Sequence, residues 1–81
     1  MKTYNYNVIA EYENKAISIG TNSIDVAISA LMEHVYKNAT VDIIDGFTGE
    51  IYVTISDEEY YITKEWQKMI LGWLIEDAWG E

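Results

Sequence analysis

Cysteine is missing from this chain. That excludes a disulfide staple and a thiolate zinc site, and it suits a reducing compartment. Proline is missing too, and the five glycines are scattered, so no linker, repeat or low-complexity tract divides the sequence. Arginine is absent, and the only cations besides His34 are five lysines. Phosphate backbones and anionic lipid surfaces are gripped by cations, so direct binding to nucleic acid or to a membrane is not expected. No apolar run approaches the ~18 residues that cross a bilayer. The opening stretch MKTYNYNVIAEYENK lacks the unbroken apolar core of a signal peptide. The expected setting is the cytoplasm.

What is present fits one small domain over residues 1–81, with no room for a second core. The net charge is −9, and it is lopsided. Residues 1–41 hold four acids against Lys2, Lys15 and Lys37, a net of −1. Residues 42–81 hold ten acids against Lys64 and Lys68, a net of −8. A charged partner of such a chain would be basic.

Tyr4, Tyr6, Val8, Ala10 and Tyr12 alternate with Asn5, Asn7, Ile9 and Glu11. Period two with aromatics predicts a strand. Glu13-Asn14-Lys15 is turn chemistry, and Ala16 to Ile19 resumes as the second arm of a hairpin. Gly20-Thr21-Asn22-Ser23 breaks the pattern and offers N-cap oxygens to a helix whose apolar positions are Ile24, Ala27, Ile28, Leu31 and Val35. Asn38 suits a left-handed cap. Val41, Ile43, Ile51, Val53 and Ile55 are β-branched and flank Asp45-Gly46, which predicts a second hairpin. Ser56 and Glu59 could open the last helix as a capping box. The run Tyr60-Tyr61-Ile62 favours a short fifth strand instead, with Thr63 capping the helix. The order ββαββ(β)α predicts an α+β fold, an antiparallel sheet of four or five strands with two helices packed on one face.

The terminal stretch KEWQKMILGWLIEDAWGE contains all three tryptophans. On a helical wheel Met69, Ile70 and Trp73 fall within about 60° of Trp66, and Leu74 near 80°. Leu71, Ile75 and Ala78 continue the apolar arc to about 180°. A surface helix needs an arc of little over ~100°. Trp66, Leu71, Trp73, Ile75 and Trp79 are therefore the expected contact residues for a companion, either a second copy of the chain or another protein. Gly72 lets another backbone come close.

No motif carries catalysis. His34 has no nucleophile or second histidine at a recognisable spacing, and a partly exposed helical histidine is the expected reading. GFTG joins two strands among acids, unlike the GXXG clamp of KH domains, which joins helices beside cations. The spacing D-x-x-D-G-x-x-G-E, residues 42–50, does not fit an EF-hand loop. No catalytic residue, cofactor or metal is expected. The acids Asp42, Asp45, Glu50, Asp57, Glu58, Glu59, Glu76 and Asp77 are expected at the surface. The leading expectation is a non-enzymatic interaction module that pairs with itself, as a homodimer, or with a basic protein. The alternative is an acidic nucleic-acid mimic that blocks a DNA- or RNA-binding enzyme. Phages and mobile elements make anti-defence inhibitors of this size and sign, and the analogy rests on size and charge alone.

Overall fold

The computed structural model describes residues 3–79, and side chains through residue 75. Two strands open it, β1 (Tyr6–Glu11) and β2 (Ala16–Thr21), paired antiparallel from Tyr6↔Thr21 to Glu11↔Ala16. The Tyr12 N–H donates to the Lys15 carbonyl at 2.7 Å and closes the turn between them. Helix α1 (Ile24–Tyr36) follows. Its N-cap is Ser23, whose Oγ accepts from the Val26 N–H at 3.3 Å. Its C-cap is Lys37, and the next residue, Asn38, takes a left-handed φ of 65° and donates its N–H to the Val35 carbonyl. Strands β3 (Thr40–Asp45), β4 (Ile51–Ile55) and β5 (Tyr60–Ile62) and helix α2 (Lys64–Trp79) complete the described residues. The sheet therefore has five strands, all antiparallel to their neighbours, in the order β2-β1-β3-β4-β5.

The Ser56 oxygen accepts from the Glu58 and Glu59 N–H groups, but in the tight turn between β4 and β5, not at a helix start. Thr63 caps α2, its Oγ1 accepting from the Trp66 N–H at 3.4 Å. The first strand of the chain is interior to the sheet. β2 and β3 flank it and run parallel to each other, and parallel strands need a crossover. Helix α1 is that crossover, which is why it lies across β1 and β3.

Alternation then sorts the sheet residues into two faces. Val8, Ala10, Val41, Ile43 and Val53 point to the helix side and are buried with Ala27, Ile28 and Leu31 of α1 and Trp66 of α2. Both helices pack on this face, as the element order implied. Asn7, Ile9, Asp42, Ile44, Thr54 and Tyr61 point the other way, and no described helix covers them.

Three local features depart from the sequence expectation. The β3–β4 register shifts between Ile43 and Ile44, so that Val53 faces Ile43 but Ile51 faces Ile44. The extra residue of this bulge is Tyr52, and the bulge turns its ring to the helix side. There it stacks on Trp66 at 5.3 Å, while Tyr6 meets Trp66 edge-on at 5.5 Å. His34 is 5% exposed, buried rather than partly exposed. It continues the Ala27/Leu31 stripe, and the Tyr12 hydroxyl shares a 2.5 Å hydrogen bond with its Nδ1. Tyr4 does not join Tyr6 and Val8, because the ladder begins only at Tyr6 after a bend at Asn5. Its ring lies on the opposite face, over Gly20, where a Cβ would overlap it.

Candidate interaction surfaces

Helix α2 divides the residues expected to meet a companion. Trp66 is 3% exposed and wholly committed to the core, so it contributes to the fold and offers nothing to a partner. Trp73 is half-buried beside α1, where it lines a groove with Val26, Ser29 and Ala30. Leu71 and Ile75 stand out at 59% and 49% exposure, with Leu74 beside them at 40%. The wheel explains the division. Trp66, Met69, Ile70 and Trp73 form the arc that meets the sheet and α1, and Leu71 and Ile75 lie beyond it. Glu76, Asp77 and Trp79 fall outside the residues whose side chains are described.

The exposed flank continues onto the neighbouring strand. A groove between α2 and β5 is lined by Tyr60, Ile62, Gln67, Ile70, Leu71 and Leu74. Tyr60 is 76% exposed. Gln67 reaches back from α2 to donate its Nε2–H to the Ile62 carbonyl at 2.9 Å, tying helix to strand. Tyr60 and Leu74 were not singled out from sequence. Tyr60 faces the helix side only because β5 pairs Tyr60 with Ile55, a register set by the β4–β5 turn.

The acids do not gather at one place. Asp45 closes the β3–β4 hairpin. Its Oδ1 accepts from the Phe47 and Thr48 N–H groups at 2.8 and 2.9 Å, and its Oδ2 accepts from the Tyr52 hydroxyl at 2.5 Å. The Tyr52 hydrogen bond, followed by the two backbone amides, lowers its pKa from 3.8 to about 2. The same carboxylate raises the Tyr52 phenol from 10.0 to about 12. Asp45 is thus a structural group of the hairpin. Glu50 sits at the same end of the sheet, where its carbonyl accepts from the Asp45 N–H. Asp57, Glu58 and Glu59 sit in the β4–β5 turn at the opposite end. Asp42 lies between these ends on the helix-free face, opposite Ile9 and Thr54.

Residues missed in the sequence populate that face. Ile9, Ile44, Ile51 and Tyr61 share it with Asp42, and a shallow trough along its β4–β5 side is lined by Gly49, Ile51, Thr54, Glu59 and Tyr61. One signal was available: Ile9 is the lone aliphatic residue on the polar side of an otherwise clean alternation.

Among the described residues, no group of three His, Asp or Glu side chains is placed to hold a metal ion. Among the described residues, no buried side-chain nitrogen or oxygen lacks a hydrogen-bond partner. No described helix is long and apolar enough to cross a membrane. Comparison with protein-family models, with curated proteins and with solved structures finds no match to this chain.

Proposed function

We propose that this chain is a small, non-enzymatic protein–protein interaction module that self-associates through α2. One observation carries the reading. Leu71, Leu74 and Ile75 form a continuous exposed apolar flank on a helix whose opposite side already fills the core. Burying such side chains contributes up to about 1.5 to 3 kcal/mol each. Charge favours a second copy here over elsewhere on the surface. The α2 segment carries Lys64 and Lys68 against Glu65, Glu76 and Asp77, a net of −1 within a chain of −9. The proposed setting is the cytoplasm, which a chain without cysteine tolerates.

The mass of the particle tests this. Sedimentation equilibrium from about 1 to about 200 µM should show a monomer–dimer equilibrium. Leu71→Glu combined with Ile75→Glu should shift it at least about tenfold toward monomer, because two buried like charges would face their copies. Both positions are exposed, so the fold should survive the change. A wild-type monomer across the whole range would end this reading.

The mimic reading draws support from the carboxylates of the helix-free face. The division of the other described acids between the two ends of the sheet, with Asp45 held inside its own hairpin, fits a phosphate-like array less well.

A further inference from the structure

We propose that the helix-free face of the sheet binds a basic protein segment in which lysine or arginine alternates with aliphatic side chains. The floor of this face is apolar. Ile9, Ile44 and Ile51 lie on it, with Tyr61 at one side and the Tyr4 ring over Gly20 at the other. Ile51 and Tyr61 are 46% and 53% exposed. The described charges on this floor have one sign. Asp42 stands in its middle row, between Ile9 and Thr54, and Glu11 closes one end opposite Thr40. Glu59 borders the trough beside Tyr61.

The described lysines are all elsewhere. Lys15 lies over the Tyr12 ring, Lys37 pairs with Glu33 on α1 at 3.8 Å, and Lys64 and Lys68 are on α2. Among the described residues, the carboxylates of this face thus have no lysine beside them, and a basic partner would supply cations to them.

That charge pattern selects the occupant. Phosphates of nucleic acid or lipid would meet only carboxylates. A second copy laid face to face would bring acids against acids. A protein segment carrying cations to Asp42, Glu11 and Glu59 and aliphatic groups to Ile9 and Ile44 satisfies both components. Its side chains would repeat every second residue, as those of the sheet do.

Five strands at ~4.8 Å and about six residues at ~3.3 Å give a face of roughly 400 Å². That is the size of a transient contact, so binding should be weak and salt-dependent. The proposal stands whether or not α2 forms a dimer.

The experiment uses the full chain, ¹⁵N-labelled, titrated with a peptide of alternating lysine and valine and with its glutamate–valine counterpart. The lysine peptide should shift the amides of Ile9, Asp42, Thr54 and Tyr61 with a saturable curve. Affinity should fall at least about tenfold between about 50 and 500 mM salt. Asp42→Lys, confirmed folded by its own spectrum, should lose at least about tenfold in affinity. The Leu71→Glu variant should bind as the wild type does, which separates this face from α2. Shifts confined to α2, equal binding of the glutamate peptide, salt-insensitive binding, no saturable shift at millimolar peptide, or displacement by duplex DNA on the same amides would each overturn the proposal.

Discussion

Asp45 and Tyr52 are seven residues apart in the chain and share one short hydrogen bond across the hairpin. Each holds the other in its ordinary ionisation state. The carboxyl is lowered to about 2, so its contribution to stability is complete above about 3.8 and is lost as pH falls through 2. The phenol is raised to about 12, so its contribution is complete below about 10 and is lost as pH rises toward 12. The fold should therefore show a stability plateau between these limits. Tyr52→Phe should remove the alkaline decline assigned to this pair and shrink the acid one. Some acid sensitivity should survive, because the Phe47 and Thr48 amides still favour the carboxylate. Unfolding midpoints by circular dichroism from pH 2 to 11, wild type against variant, check both limbs. Identical curves would remove Asp45–Tyr52 as their cause.

Helix α2 is held through Trp66, Met69, Ile70 and Trp73 and carries its exposed flank from Leu71 onward. Gly72 lies between them in the chain, and a Cβ there meets nothing within 4 Å. Gly72→Ala should therefore stabilise the single chain by about 1 kcal/mol, through helix propensity and lost freedom of the unfolded state. For a domain of this size that is a thermal midpoint higher by about 4 to 8 °C. Calorimetry at a concentration where the monomer dominates gives the value, and a lower midpoint would show that Gly72 is already in close contact. The elements themselves were legible in the sequence wherever the cause is local. Alternation and β-branched runs marked the strands, and the polar run ending at Ser23, together with Asn38 and Thr63, marked helix ends through side chains and dihedrals. Features with distant causes were not legible. The bulge at Tyr52 depends on a ring stack with Trp66 and a hydrogen bond to Asp45, and YVT reads as plain alternation without them. His34 is buried because Tyr12, 22 residues away, supplies a partner for it. On α2, the wheel separated Leu71 and Ile75 from the core arc but placed Leu74 nearer the core than its 40% exposure. The helix-free face needed the strand pairings before Ile9, Ile44 and Tyr61 could be seen together.

Across the whole molecule charge and topology run in the same direction along the sheet. β2, β1 and α1 come from the nearly neutral half of the chain, whereas β3, β4, β5 and α2 come from the half with a net of −8. Carboxylates within a Debye length of one another repel, and salt relieves that repulsion. The thermal midpoint should therefore rise by several degrees between about 10 and 500 mM sodium chloride. An unchanged midpoint would mean that the acids are too dispersed to strain the fold, a result differential scanning fluorimetry would show directly.

The interior position of β1 bears on how the chain is made. Translation delivers β1 long before β3, the strand that seals its second side. At about 5 to 20 residues per second, the roughly 34 residues from Glu11 to Asp45 take about 2 to 7 s to polymerise. For that interval the nascent hairpin carries an unfilled ladder of backbone amides and carbonyls, an edge open to wrong pairing.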